Sequence, residues 1–398
     1  MALLLLLTAG CRQLLGFESP TVAGSDGPPV DTVDTPITCT NPEQRCPAEA
    51  PICAEGICVE CLATELALCA AEQPVCGSDL HCRACASHDE CVSEVCLISG
   101  ACADEMQVAY VAAGSTGTCT KQSPCARVAL GMQTGKPILK VTGTVTDTIS
   151  TNLARTVDVY GDPGAVITRT NNGPIVDTSS SGTVTLHDIA ISGGTSTNGV
   201  GIRGTSGVLV LDRVRVIANQ GLGLDLRGQE VVISRSILAG NLGGGGRIEN
   251  TKFAISNTLI VQNGSTTTSI GGLRLKADAG STLELTTIAN NTADLNFGNG
   301  SGLDCEGSFE AHSSIVTDNT LGGNCAFLAS LFDIATPGTG NRVGDPTFLN
   351  TDDTGSADFY RLGAGSAALD GALSTIVVDI DGQPRLTGAS DMGADERP

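Results

Sequence analysis

The chain has 398 residues and a formal net charge of −21. That charge excludes a nucleic-acid partner, which calls for a basic footprint, and argues against docking on anionic lipid head groups. Fifty glycines, 3% aromatic residues and no tryptophan suit a β-solenoid better than a compact sandwich, and the length leaves room for two or three units. The seventeen cysteines are an odd number. Cys11 stands apart, and the remainder form an even set for disulfides in an oxidising compartment.

Residues 1–10 read MALLLLLTAG, ending in the small tripeptide Thr8-Ala9-Gly10 before Cys11. This run is far below the ~20 residues of a membrane span. It resembles a bacterial lipoprotein signal. The resemblance implies lipidation of Cys11 and attachment to the bacterial cell envelope, at the outer membrane, through a lipid anchor. The rival reading is an ordinary cleaved secretory signal. Residues 12–38 carry Pro20, Pro28, Pro29 and Pro36 among Glu18, Asp26, Asp31 and Asp34, with no apolar periodicity. They read as an extended acidic tether.

Residues 39–104 form a short repeat with cysteines in groups of four: 39, 46, 53, 58; 61, 69, 76, 82; 85, 91, 96, 102. Small modules of this kind lack a core and depend on cross-links. The stretch resembles the Cys-rich repeats of secreted proteins and lipoproteins of large-genome soil bacteria. Cys58-Val59-Glu60-Cys61 and Cys82-Arg83-Ala84-Cys85 also approach zinc-ribbon spacing, but Cys69 and Cys76 lie between them, and disulfides are the preferred reading. The connectivity stays open. His81 and His88 are read as plain surface residues.

The solenoid is expected over 105–345. Met106 to Ala113 reads as a strand, and Cys119 with Cys125 closes a small disulfide loop. Ser123-Pro124 reads as the start of a short helix running to about Thr134, with Pro at its first position. Such a helix would cover the exposed strand edges at the end of the solenoid. Strands are expected near 138–146, 156–160 and 165–169.

From about Gly182 to Cys325 a repeat is marked by Asn219, Asn241, Asn263, Asn291 and Asn319, at intervals of 22, 22, 28 and 28 residues. An aliphatic residue precedes each by three: Val216, Leu238, Ile260, Ile288, Val316. After each Asn come glycines and a short alternating strand. A period of 20–30 residues with alternation inside it signals stacked coils. One coil cannot bury its apolar side alone, but a stack can. The fold class is therefore all-β, a right-handed parallel β-helix with a short N-terminal capping helix, preceded by a small disulfide-rich module. The five Asn are expected to tolerate left-handed backbone at a tight turn and to bond one another in a ladder. Cys305, at an inward position, and Cys325, one coil later, are expected to be bonded.

Two outward columns follow from the same alignment: Arg203, Asp225, Arg247, Arg274, Asp304 and Thr205, Arg227, Glu249, Lys276, Glu306. Near-alternating sign reads first as a structural charge ladder. Its functional rival is an anionic-glycan face made of Arg203, Arg227, Arg247, Arg274 and Lys276. Neither column holds two adjacent acids, as a calcium-dependent lyase would need, and Asp352-Asp353 reads as a solvated turn. His187 and His312 are read as surface or turn residues. No metal, cofactor or catalytic set is assigned.

Residues 346–398 lose the period. Asp345-Pro346-Thr347-Phe348, Asp379-Ile380-Asp381-Gly382-Gln383-Pro384-Arg385 and Asp391-Met392-Gly393-Ala394-Asp395-Glu396 resemble the choice-of-anchor-type C-terminal region of bacterial β-helix surface proteins. With the coils, the resemblance implies the pectate-lyase-like superfamily, exported, and carries over no catalytic residue. The resulting expectation is a monomeric, lipid-anchored, non-enzymatic surface protein with a structural or adhesive role. Its candidate partners are a polysaccharide or a surface protein. A polysaccharide lyase or glycoside hydrolase on the same scaffold is the alternative.

Overall fold

The structure is a computed structural model and describes residues 39, 46–48, 50–62, 69–151, 155–179, 181–307, 309–386, 388 and 390–397. The signal, Cys11 and the acidic tether lie outside the described residues. The chain divides into two compact units. The smaller holds the first two cysteine groups. The larger holds residues 70–75 and everything from Arg83 onward. The third cysteine group therefore belongs to the solenoid unit rather than to a separate module ending at 104.

In the smaller unit Ile52–Ala54 pairs antiparallel with Ile57–Val59. Its bridges are Cys39–Cys53, Cys46–Cys58, Cys61–Cys76 and Cys69–Cys82. The third group repeats the pattern with Cys85–Cys96 and Cys91–Cys102. In every group the first cysteine joins the third and the second joins the fourth. Each sulfur of the two Cys-x-x-Cys pairs is thus spent on a disulfide, which removes the zinc reading.

The larger unit is the parallel β-helix. One face is an eight-stranded parallel sheet, from Ile149–Ser150 through Ile202–Gly204 and Leu224–Arg227 to Leu303–Gly307 and Leu321–Gly323. The other strands of each coil join one 18-stranded sheet that bends at a corner. Residues in register make continuous inward stacks. One runs Val159, Leu186, Leu211, Ile233, Ile255, Leu283, Ala311, Phe327. Another runs Ile191, Val216, Leu238, Ile260, Ile288, Val316, Phe332. All are buried. Full burial of such a side chain is worth roughly 1.5–3 kcal/mol. Here that burial exists only because another coil lies above and below.

The ladder forms. Asn219 Nδ2 donates to Asn241 Oδ1 at 2.9 Å, Asn241 to Asn263 at 2.9 Å, and Asn263 to Asn291 at 3.1 Å. The last step differs, with the backbone N–H of Asn291 donating to Asn319 Oδ1 at 2.8 Å. The left-handed residue is not the Asn but its predecessor: Ala218, Gly240, Gln262, Asn290 and Asp318 have φ of 53°, 63°, 57°, 54° and 52°. The amide is needed inside the turn, where its two hydrogens and its oxygen meet buried backbone groups. The strain falls on the neighbour.

A second left-handed column marks the bend in the large sheet: Asp188, Arg213, Arg235, Asn257, Leu285, Ser313 and Ala329, with φ between 45° and 56°. At the N-terminal end the helix is shorter than expected, Val128–Gln133. The Cys119–Cys125 bridge and the pairing of Cys125 with Val111 hold Pro124 outside it. Asp147 bonds its first turn at Ala129 N, 2.9 Å. Gly131 lies against Val111 and Leu139, so the helix covers that end of the core as expected. Cys305 and Cys325 are joined.

The C-terminal motif builds a clasp around one buried guanidinium. Arg385 donates to the carbonyls of Asp391, Gly393, Ala394 and Asp395 at 2.9–3.4 Å, to Glu396 Oε2 at 3.1 Å and to Asn257 Oδ1 at 2.9 Å. Around it Phe359, Tyr360, Ile380 and Ala394 pack on Ala239, Leu259, Val261 and Ala289 of the solenoid.

Candidate functional site

The charged columns stand in the register expected. Arg203, Asp225, Arg247, Arg274 and Asp304 are neighbours on successive strands, as are Arg227, Glu249, Lys276 and Glu306. Thr205 does not join them, since its strand ends at Gly204. Each cation has an acid. Arg247 grips Asp225 with two bonds of 2.6 and 3.0 Å. Arg203 and Arg227 also lean on Asp225, at 3.7 and 3.6 Å. Arg274 lies 3.6 Å from both Glu249 and Asp304, and Lys276 lies 2.6 Å from Glu306. The five candidate glycan-contact cations are thus already neutralised by their neighbours along the sheet.

A different place holds a concavity. Beside the corner lies a cleft of about 1380 Å³, walled by residues 85–100 of the third cysteine group, the turn Gly161–Ala165, the corner residues Asp188, Arg213 and Arg235, and Asp381. Beside the cleft, and not lining it, the strand register stacks a polar column in order: Lys140, Tyr160, His187, Asp212, Ser234. Tyr160 and His187 are stacked with ring centroids 4.5 Å apart. Outward side chains of a solenoid normally meet water. Here the first four are buried, and Val95 and Leu97 of the third cysteine group pack with Tyr110, Ile138 and Tyr160.

The charges in the cleft and in the column beside it are pre-paired. Arg213 holds Asp188 with bonds of 2.5 and 2.7 Å and reaches Asp212 at 2.7 Å. Arg235 takes Asp212 from the next coil through Nε and Nη2. Lys140 Nζ sits 2.7 Å from Asp162 with only 1% of its side chain exposed. His88 accepts from Cys96 N at 3.0 Å and faces Asp188 at 3.5 Å. Burial alone would push the Asp188 carboxyl up, but bonds from Arg213 and His88 outweigh it and hold it below the usual carboxylate range. Burial lowers the Lys140 ammonium despite Asp162, and raises the Tyr160 phenol.

Three histidine readings change. His187 is 1% exposed, and its side chain is a member of the stacked column. His88 links the third cysteine group to the corner. His312 ends the strand Glu310–His312 with its Nδ1 3.6 Å from Glu284, so it is a strand residue. His81 is exposed and faces Glu60 at 3.0 Å. The signal for the corner was in the sequence. An inward aliphatic followed by two polar residues recurs as Leu186-His187-Asp188, Leu211-Asp212-Arg213, Ile233-Ser234-Arg235 and Ile255-Ser256-Asn257. What could not be read was the cover supplied by residues 85–100.

Asp379, Asp381 and Asp395 also converge. Arg361 fills the space between two of them, bonding Asp381 at 2.7 Å through both Nε and Nη2 and lying 3.4 Å from Asp395. Asp352 and Asp353 form an exposed turn on the side chain of Asn350, as expected.

No family model matches the chain, and no curated protein matches it. Among solved structures the chain is similar to a pectate lyase, Pel9A, at 13% identity and a TM-score of 0.46, covering 73% of this chain and 96% of that one. It is also similar to a pectin methylesterase from Aspergillus niger in two deglycosylated forms. There the identity is 14% and 12%, the TM-score 0.34, and the coverage 68% of this chain and 93% of the other.

Proposed function

We propose that the protein is an exported, lipid-anchored component of the bacterial cell envelope with a structural or adhesive role, and that the corner cleft is its contact surface. The observation that carries the binding reading is the pairing of charge inside the cleft. Of the acids that line it, Glu94 is held by Lys121 at 3.1 Å, Asp162 by Lys140, Asp188 by Arg213 and Asp381 by Arg361, which among the described residues leaves the exposed Asp89 outside the pairing. A carboxylate fixed in an ion pair is a poor general base, because its lone pairs and its basicity are already used. A wall of pre-paired, rigid polar groups suits recognition.

Export is supported by the eight disulfides, which account for every cysteine except Cys11. The tether would hold the folded units away from the lipid. The C-terminal region, anchor-type by resemblance, acts here as the clasp on the upper coils. Two experiments test this reading. Cys11→Ser should release the protein from the membrane fraction of its bacterium; unchanged fractionation overturns the anchor. Incubation with polygalacturonate, with and without Ca²⁺, should give no rise in ultraviolet absorbance. A steady rise from unsaturated product would make the protein a lyase.

A further inference from the structure

The sheet that follows the left-handed corner has two kinds of outer surface. Over the upper coils it is covered by the chain's own C-terminal region, which is neither helix nor ladder strand there. Apolar contact comes from Ala239, Val261 and Ala289 under Phe359, Tyr360 and Ile380, and from Ile315 and Leu331 under Leu362, Ala368 and Met392. Besides the side-chain bonds of Arg385 to Asn257 Oδ1 and of Tyr360 to Asn290 Oδ1, the polar contacts involve the main chain of the C-terminal region. Asn257 Nδ2 donates to the carbonyl of Val378 at 2.9 Å, and Gln262 Nε2 to that of Thr351. Arg215 Nη2 donates to the carbonyl of Thr354. In return Leu373 N donates to Ser313 Oγ at 2.9 Å, Gly393 N to Ser313 O at 2.8 Å, and Ala394 N to Thr287 Oγ1 at 3.1 Å. The corner and the sheet beside it thus recognise main chain.

Over the lower coils the C-terminal region reaches only as far as Arg215, through Thr354, and Ile217, and the same columns continue beyond it into the open cleft at Val166 and Ala190. Val166, Ala190 and Arg215 are successive residues in register, and Ile217 lies directly below Ala239. Arg235 is the corner residue one coil below Asn257. All except Ala239 and Asn257 line the cleft. The polar equipment continues as well. Arg235 spends Nε and Nη2 on Asp212, which leaves the Nη1 hydrogens of its five donors. Arg215 has given Nη2 to Thr354, and its Nε is buried out of reach of the cleft, so it contributes the stem that lines the cleft.

From this we infer that the open cleft takes an extended polypeptide segment of a partner protein, held through its main chain and prolonging the path that the C-terminal region follows above. Arg235 meets its carbonyls through Nη1. Val166, Ala190 and Ile217 receive its alternate side chains. The third cysteine group closes the lower end. Coils about 4.8 Å apart give the open stretch a length on the order of 15 Å, enough for about five extended residues at ~3.3 Å each. Recognition of this kind draws affinity from main-chain hydrogen bonds and specificity from shallow pockets for alternate side chains. The inference rests on the cleft being the contact surface. It is independent of the lipid anchor.

The test is selection of a phage-displayed library of linear dodecapeptides on the full chain, followed by titration of the enriched peptide made synthetically. Wild type and the Arg227→Glu/Lys276→Glu variant should bind it equally. Val166→Arg and Ala190→Glu, two independent ways of filling the cleft from outward positions, should each weaken it at least tenfold while leaving the melting curve unchanged. N-methylation of single peptide amides should weaken binding more than alanine replacement of the same residues. A selection with no enrichment, or binding indifferent to both cleft variants, overturns the inference. Neutral or acidic hexasaccharides titrated in parallel separate the two levels of the argument. If they bind and Val166→Arg abolishes that binding, the occupant is a glycan, and the cleft survives as the contact surface while the peptide inference falls.

Discussion

Two outer surfaces of one solenoid carry most of its charge and use it differently. On the eight-stranded sheet partly exposed cations pair along the stacking direction with acids that are more sheltered, Asp225 being buried. At the corner Asp212 and Lys140 lie deeper, with 3% and 1% of their side chains exposed, and Asp212 is shared by His187, Arg213 and Arg235, whose guanidinium groups stay partly exposed as those of the ladder do. The same coil spacing produces both, since it places a residue next to its counterpart one turn away. What differs is cover. An exposed pair is worth roughly 0–1 kcal/mol, whereas breaking a buried one costs about 3–5 kcal/mol, because the surviving charge is stranded. The first surface organises coil order; the second is a built site.

Mutations should reproduce that contrast. The largest loss is expected at the clasp. Arg385→Met strands Glu396 and takes the donor from the carbonyls of Asp391, Gly393 and Asp395, and should cost about 3–5 kcal/mol in denaturant unfolding. Replacing Cys305 and Cys325 together by serine opens a loop of 20 residues and should cost about 3 kcal/mol. Asn263→Ala removes an amide that donates to Leu238 O at 2.8 Å and to Asn291, and accepts from Asn241, so about 2–3 kcal/mol is expected.

The clasp also gives a pH signature. Burial pushes the Asp395 carboxyl up to about 6, against an ordinary value near 3.8. The folded protein therefore holds a proton there that the unfolded chain has already lost. That contribution is complete below about pH 4 and disappears as pH rises through about 6. It is on the order of 2 kcal/mol. Asp395→Asn should flatten this segment of the stability profile. The smallest effect belongs to the exposed ladder. Arg247→Ala should cost no more than about 1 kcal/mol, and the cost should shrink in high salt.

Much of this was legible before any coordinates. The Asn spacing fixes the coil length, and the aliphatic three residues earlier fixes which side faces in. The alternating Arg and Asp of the columns are readable because a parallel stack in register is so regular. The cover over the corner was not legible for a physical reason. His187 and Lys140 are outward residues by alternation, and alternation reports which way a side chain points, not whether something lies over it. His88, Val95 and Leu97 pack on Tyr160, which stands between Lys140 and His187 in the column, and are held by two bridges whose connectivity spacing alone leaves open. The left-handed residue beside each ladder Asn escaped for a similar reason, since Ala218 and Gln262 are not residues that announce positive φ.

The contrast between the two surfaces can be tested with one titration. A galacturonate hexamer is added to the full chain by calorimetry at low and at physiological salt, with Arg227→Glu/Lys276→Glu as the reference. If the columns are neutralised by their own acids, no saturable heat appears at either salt concentration, and the variant behaves as the wild type does. Saturable, salt-sensitive binding that vanishes in the variant would mean that the exposed columns, not the corner, are where this protein meets its ligand.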